Sequence, residues 1–132
     1  MLIGVPKEIK NHEYRVGLIP AAVRELAMHG HQVFVEASAG AAISHPDREY
    51  EEAGATILAT AEEVFEVAQM IVKVKEPQTA ERKLLKPEQL LFTYLHLAPD
   101  YDQTAELVRS GSICIAYETV TDERGHLPLL AP

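Results

Sequence analysis

The sequence of 132 residues has one cysteine, Cys114, so it cannot form an internal disulfide or a CxxC redox or metal motif. Cys114 stands between Ile113 and Ile115, a setting typical of a small core residue rather than a reactive thiol. Its six histidines show no zinc-site spacing, so no metal is expected. A reducing cytoplasm is the compartment that this cysteine usage predicts.

Positive charge is also scarce, with 12 basic against 20 acidic residues and a formal net charge of -8. Nucleic acids and anionic membranes attract basic surfaces, so neither is expected as a partner. No apolar run approaches the ~20 residues needed to cross a bilayer, and the amino terminus lacks the pattern of a signal peptide. A composition of 47% hydrophobic and 24% charged residues indicates one soluble globular domain over residues 1–132.

Six short apolar runs are predicted to be strands: residues 2–5, 33–35, 55–58, 70–72, 90–93 and 113–116. Helical segments are predicted between them at 21–29, 46–53, from the capping-box spacing of Thr60 and Glu63 onward, and at 100–110. Glycine follows three of these segments, at Gly30, Gly54 and Gly111. Apolar strands alternating with helices predict a doubly wound α/β fold, flavodoxin-like or Rossmann-like, whose mostly parallel sheet is covered on both faces.

Right-handed crossovers place the carboxyl ends of all parallel strands at one edge of the sheet, where ligands bind. Arg15 lies in the long segment after the first strand, and its guanidinium could hold a carboxylate through two parallel hydrogen bonds. The alternative is a surface arginine paired with Glu8 or Glu13.

Two more polar groups follow strands. Lys75 comes shortly after the fourth strand, and a lysine there could polarise a carbonyl or bind a carboxylate; ordinary solvation is the alternative. If that strand continues, Lys73 and Lys75 share one face. His96, between two leucines after the fifth strand, is expected to be partly buried and suits proton transfer near neutral pH. The alternative is a core histidine with its hydrogen bonds satisfied.

The seven glycines nowhere form G-x-G-x-x-G or a P-loop, so this domain is not expected to bind a dinucleotide by itself. The last stretch, residues 127–132, is apolar and bounded by prolines. Such a stretch is rarely left exposed at a natural terminus, so we expect a shortened chain or a proteolytic fragment.

Five stretches in order along the chain resemble the amino-terminal domain of bacterial alanine dehydrogenases: GVPKE with EYRV, VKVKEP, FTYLHLA, AYETV and LPLL. The resemblance implies a longer two-domain enzyme, in which a Rossmann domain absent from this chain binds most of the NAD. It implies the reversible oxidative deamination of L-alanine to pyruvate and ammonia, with hydride passed to NAD. It further implies a homo-oligomer, commonly a hexamer, and no activity of residues 1–132 alone.

The same resemblance assigns roles to matching positions. Arg15 anchors the carboxylate of alanine or pyruvate, and Lys75 contacts the carboxylate or the carbonyl oxygen. His96 is the acid/base, exchanging a proton with that oxygen or with the carbinolamine hydroxyl. Tyr94 and Glu118 are candidates for lining the site.

Two alternatives stay open. The amino-terminal domain of the proton-translocating transhydrogenase alpha subunit is similar in its opening motif and arginine, but it is expected to lack the histidine and the KEP stretch. The other is a stand-alone, non-catalytic module that binds small 2-oxo acids or a partner chain.

Overall fold

The computed structural model describes every residue from Met1 to Pro132. One sheet contains six parallel strands in the order β3-β2-β1-β4-β5-β6. The strands are β1 Leu2–Val5, β2 Gln32–Glu36, β3 Thr56–Leu58, β4 Met70–Val72, β5 Leu90–Thr93 and β6 Ile113–Ala116. The predicted doubly wound α/β fold is confirmed, and its strand order is that of Rossmann-type sheets rather than of flavodoxin.

Five α-helices connect the strands: α1 Pro20–Met28, α2 Asp47–Glu52, α3 Ala61–Val67, α4 Thr79–Arg82 and α5 Tyr101–Ser110. Two 3-10 helices, η1 Ala41–Ile43 and η2 Tyr117–Thr119, complete the elements. The capping box of Thr60 and Glu63 is present at the start of α3, and Gly111 ends α5 in the left-handed conformation at φ 72°. Helix α4 has no counterpart among the predicted segments. None of the helices is long and apolar enough to cross a membrane.

Both faces of the sheet are covered, because successive strand residues point to opposite sides. Ile3 and Val5 join one core cluster together with residues of α1 and α2. Gly4 faces the other side, where a Cβ atom would stand 2.8 Å from the side chains of Val64 in α3 and of Ala68, the residue that caps that helix. Glycine therefore lets α3 pack closely against β1, and a second core cluster forms there between β4, β5, α3 and α5.

The carboxyl ends of the strands form one edge of the sheet, called the carboxyl edge below. From β1 the chain proceeds outward to β2 and β3, and it then returns to place β4 on the other side of β1. The connections after β1 and β4 thus leave in opposite directions, which opens the crevice where Rossmann-type sheets bind ligands.

The connection after β1, residues 6–19, is unusually long for a strand-to-helix loop. It crosses the end of β4 at Gly17, where a Cβ atom would lie 2.5 Å from the carbonyl oxygen of Val72. Only glycine permits that approach. The crossing brings the segment that carries Arg15 to the end of β4.

Candidate functional site

A cleft of about 290 Å³ opens at the carboxyl edge, between the connections that follow β1, β4, β5 and β6. Its lining residues are Gly17, Val72, Lys73, Val74, Phe92, Tyr117 and Leu129. A second cleft of about 510 Å³ lies under residues 7–15 of the long loop and includes Arg15. Arg15 lines the second cleft, and Lys75 and Glu118 directly follow Val74 and Tyr117, which line the first.

Lys75, Tyr94 and His96, called the open cluster below, come together although they follow two different strands. The ammonium of Lys75 lies 4.6 Å from the centroid of the Tyr94 ring, a cation–π distance. The Tyr94 hydroxyl and Nδ1 of His96 are hydrogen-bonded at 3.0 Å. Their rings stack at 5.6 Å between centroids and 13° between planes. Tyr94 therefore links the ammonium of Lys75 to the imidazole of His96.

His96 is exposed, and the expectation that its leucine neighbours would partly bury it is wrong. Leu95 points into the core and is 1% exposed. At His96 the backbone enters the left-handed region with φ 47°, which turns the imidazole outward to the carboxyl edge. The alternative of a core histidine is excluded as well.

Arg15 is 65% exposed in its side chain and forms a forked pair with Glu13, whose side chain is 7% exposed. Nε donates to Oε2 at 3.0 Å, and Nη2 donates to Oε1 at 2.7 Å. These hydrogen bonds lower the pKa of Glu13 and raise that of Arg15. Of the two partners considered from the sequence, Glu13 is the one found.

Arg15 makes no direct contact with Lys75 or His96, but its charge acts on groups beside them. The positive charges of Arg15 and Lys75 both lower the pKa of Glu13. The charge of Arg15 also acts against the rise that burial causes in the pKa of Tyr117. The charge of Arg15 therefore acts on Tyr117, whose ring lies beside that of Tyr94.

Lys73, unlike Lys75, is buried with its side chain 1% exposed. Strand β4 ends at Val72, so the lysines do not share a face as a continued strand would require. Lys73 pairs with the buried carboxylates of Glu8 and Glu81, the latter at 2.9 Å. Glu8, Lys73 and Glu81 are called the ionic cluster below.

Glu8 also fixes the backbone that carries Lys75. Its Oε1 accepts hydrogen bonds from the peptide N–H groups of Val74 and Lys75, the latter at 2.9 Å. From behind, the buried hydroxyl of Thr93 donates to the carbonyl oxygen of Lys75 at 2.8 Å. The sequence suggested Glu8 only as a partner for Arg15. Its place three residues after the end of β1 was the sole signal of this role.

The 3-10 helix η2 supplies two more residues. The hydroxyl of Tyr117 donates to the carbonyl oxygen of Val74 at 2.7 Å, and its ring lies 6.4 Å from that of Tyr94. Tyr117 was missed from the sequence. The carboxylate of Glu118 faces the backbone of the loop after β5, where it accepts a hydrogen bond from the peptide N–H of His96 at 2.9 Å.

The residues at the strand ends do not fit a dinucleotide. In a dinucleotide cradle a glycine-rich turn leads directly from the first strand into a helix whose N-terminus faces the phosphates. Here the long loop separates β1 from α1, and Gly17 lies against the backbone of β4.

Comparison with known proteins gives one family. Residues 4–132 match the family model described as alanine dehydrogenase/PNT, N-terminal domain. The alanine dehydrogenase of Halomonas elongata is 52% identical over 132 residues, which are the whole of this chain and 36% of that protein. The chain thus spans about a third of the length of this curated relative.

Two solved structures are similar over almost the entire chain. An L-alanine dehydrogenase has a TM-score of 0.95 and 51% identity, covering 98% of this chain and 36% of its own. A transhydrogenase from Sinorhizobium meliloti has a TM-score of 0.86 and 27% identity, covering 94% of this chain and 37% of its own. The two share the fold, and the sequence is much nearer to the first.

Proposed function

We propose, because this chain belongs to the family of alanine dehydrogenase/PNT N-terminal domains, that residues 1–132 are the substrate-binding part of a two-domain alanine dehydrogenase. The reaction is the reversible oxidative deamination of L-alanine to pyruvate and ammonia. The higher identity to the alanine dehydrogenase structure than to the transhydrogenase favours this activity over the alternative.

The observation that carries the proposal is the open cluster. Lys75 and His96 both contact Tyr94, one through its ring and the other through its hydroxyl. A small 2-oxo acid that binds beside these two side chains meets a cation for its carboxylate or carbonyl oxygen. It also meets an imidazole, which exchanges a proton with that oxygen or with the carbinolamine hydroxyl.

Arg15 takes the substrate carboxylate in this proposal. Glu13 occupies Nε and Nη2, and Nη1 makes no hydrogen bond to the protein. A carboxylate can therefore approach the guanidinium from its free side while Glu13 holds the other. An arginine held in this way is already oriented before the substrate arrives, which reduces the entropy lost on binding.

The redox partner in this proposal is NAD, bound by the other domain of the complete enzyme. No step of its chemistry is assigned to residues 1–132. A homo-oligomer, commonly a hexamer in this family, and a cytoplasmic location complete the proposal.

The test uses a complete enzyme in which this chain replaces the matching 132 residues of the Halomonas elongata alanine dehydrogenase. In this hybrid enzyme Arg15→Ala and His96→Ala are expected to abolish alanine-dependent reduction of NAD, with the thermal unfolding midpoint unchanged. The controls are Arg24→Ala and His29→Ala, two exposed residues outside the site. Turnover near that of the unsubstituted hybrid in either site variant contradicts the proposal.

The chain itself provides a second measurement. We expect weak binding of pyruvate to residues 1–132 by NMR titration, lost in Arg15→Ala and retained in Arg24→Ala. We also expect no alanine-dependent NAD reduction by this chain alone, because the proposed hydride acceptor is held elsewhere. Robust activity of the isolated chain contradicts the proposal that NAD is bound by the other domain.

A further inference from the structure

The loop after β5 is held by polar side chains that bind the backbone at Leu95 and His96. Its peptide N–H donates to both oxygens of Glu118, at 3.1 and 3.2 Å. Its carbonyl oxygen accepts from the side-chain amide of Gln103 at 3.1 Å. The next peptide N–H, that of His96, also donates to Glu118, at 2.9 Å. One carboxylate therefore receives two consecutive N–H groups just where the chain leaves the sheet.

The backbone at His96 is in a conformation that needs such support. Its φ of 47° lies in the left-handed region, which residues other than glycine rarely adopt. Unfavourable conformations of this kind persist where surrounding contacts determine them. Hydrogen bonds to an ionised carboxylate are stronger than neutral ones, and those of Glu118 act on the peptide N–H of His96 itself.

Glu118 is itself well placed for this task. It lies in η2, immediately after β6, and β6 pairs with β5 in a register that sets Thr93 beside Ala116. The neighbouring Tyr117 anchors η2 by its hydrogen bond to Val74 and its ring contact with Phe92 at 5.6 Å. The carboxylate of Glu118 is thus held level with the start of the loop that carries His96.

We propose that Glu118 is a positioning residue, which orients His96 through the backbone and does not contact the substrate. Its carboxylate oxygens already accept the N–H groups of Leu95 and His96. The imidazole therefore faces the open cluster because Glu118 fixes the peptide behind it. This inference rests on the proposed role of His96 as acid/base.

Two substitutions in the hybrid enzyme test the inference. Glu118→Gln removes the charge and leaves one acceptor oxygen, and its amide N–H groups would face the peptide donors. We expect kcat to fall by about ten- to a hundredfold, as misplaced catalytic groups do, with the KM for pyruvate within about twofold. Glu118→Asp keeps the charge but withdraws it by one methylene. Its kcat is therefore expected to lie between that of Glu118→Gln and that of the unsubstituted hybrid.

The matched control is Glu123→Gln, which removes an exposed carboxylate in the segment that follows η2. Its kcat and KM are expected to equal those of the unsubstituted hybrid. In the 132-residue chain, Glu118→Gln is expected to accelerate hydrogen exchange at the amides of Leu95 and His96. Exchange in the β1 core is expected to stay unchanged, which separates a local effect from loss of the fold.

Three outcomes overturn the inference. An unchanged kcat in Glu118→Gln shows that His96 needs no such support. A raised KM at unchanged kcat shows that Glu118 binds the substrate directly. If Glu118→Gln does not fold, Glu118→Asp decides, because a fully retained kcat in that variant is incompatible with a positioning role. His96→Ala in the same hybrid separates the positioning role of Glu118 from the proposed function. If the His96→Ala enzyme is active, the proposed function itself is wrong.

Discussion

The ionic cluster and the open cluster lie at the same edge of the sheet and contain lysines only two residues apart, yet they differ in almost every physical respect. Lys73 is buried between the carboxylates of Glu8 and Glu81, whereas Lys75 lies over an aromatic ring beside the cleft. The first lysine has all its partners within the protein. The second has no carboxylate partner and is free to meet one on a substrate.

This difference shows how one segment serves two purposes. Glu8 neutralises Lys73 with one oxygen and binds the peptide N–H of Lys75 with the other. The buried ion pair therefore fixes the backbone from which the exposed lysine projects. The lysine that we propose binds substrate is thus positioned by a buried ion pair.

The largest difference in stability is expected between two single variants that carry the same substitution, one at Lys73 and one at Lys75. Lys73→Met leaves two carboxylates buried without a cation, and breaking a buried ion pair costs about 3–5 kcal/mol. Lys75→Met removes a partly exposed cation–π contact, worth about 0.5–1 kcal/mol, and abolishes pyruvate binding. Urea unfolding of the two variants and NMR titration with pyruvate measure both quantities. Equal losses of stability would abolish the distinction between the two clusters.

A smaller loss of stability is expected when the two carboxylates of the ionic cluster are substituted one at a time, and it differs between them. Glu8→Gln removes the negative charge beside Lys73 and leaves one acceptor oxygen for the ammonium and the two peptide N–H groups, so a loss of about 3 kcal/mol is expected. In Glu81→Gln the cation keeps Glu8, and the amide oxygen still accepts the Gln78 N–H of the capping box. Its free energy of unfolding is expected to stay within about 1 kcal/mol of the parent chain. A loss in Glu81→Gln as large as that in Glu8→Gln would contradict this ranking.

Glu81 also predicts a dependence on pH. Burial raises its pKa above the ordinary 4.5, although Lys73 opposes the rise. Between 4.5 and the raised value the folded chain binds more protons than the unfolded chain, so this group's contribution to stability falls as pH rises. In Glu81→Gln this loss of stability with rising pH is absent, because the amide does not ionise. The stability of the variant relative to the parent is therefore expected to increase from pH 4.5 upward in urea unfolding, and a constant difference would contradict the assignment.

The fold could be predicted closely because its signals are local. Strands β5 and β6 begin and end at the predicted residues, since an apolar run bounded by polar or turn residues defines a buried strand. Helix α4 was missed because its four residues, Thr79–Arg82, contain no apolar stripe. Its Glu81 caps the helix and binds Lys73, and no local sequence pattern predicts the contact with Lys73.

The candidate site could be predicted only in part. Its residues follow strands, so Arg15, Lys75 and His96 were selected as candidates by position, and the structure joins Lys75 to His96 through Tyr94. What holds them was not predictable, because the contact of Glu8 with Lys73 spans 65 positions of the chain. The exposure of His96 depends on one backbone torsion, which its leucine neighbours do not encode.

The smallest effect is expected at the hydrogen bond inside the open cluster. Tyr94→Phe removes the hydroxyl that bonds Nδ1 of His96 but keeps the ring that stacks on it and lies under Lys75. One hydrogen bond at an exposed site is worth about 0.5–1.5 kcal/mol, so kcat of the hybrid enzyme is expected to fall by about two- to tenfold. The free energy of unfolding is expected to fall by no more than about 1.5 kcal/mol.

The tautomer of His96 decides whether this loss has the stated cause. A partner at Nδ1 selects which ring nitrogen carries the proton, so the ¹⁵N shifts of the imidazole are expected to differ between Tyr94→Phe and the parent. Tyr101→Phe, an exposed tyrosine at the start of α5, is the control and should alter neither the shifts nor kcat. Unchanged shifts in Tyr94→Phe would mean that solvent, rather than Tyr94, determines the tautomer. The open cluster would then owe its arrangement to the backbone of the His96 loop alone.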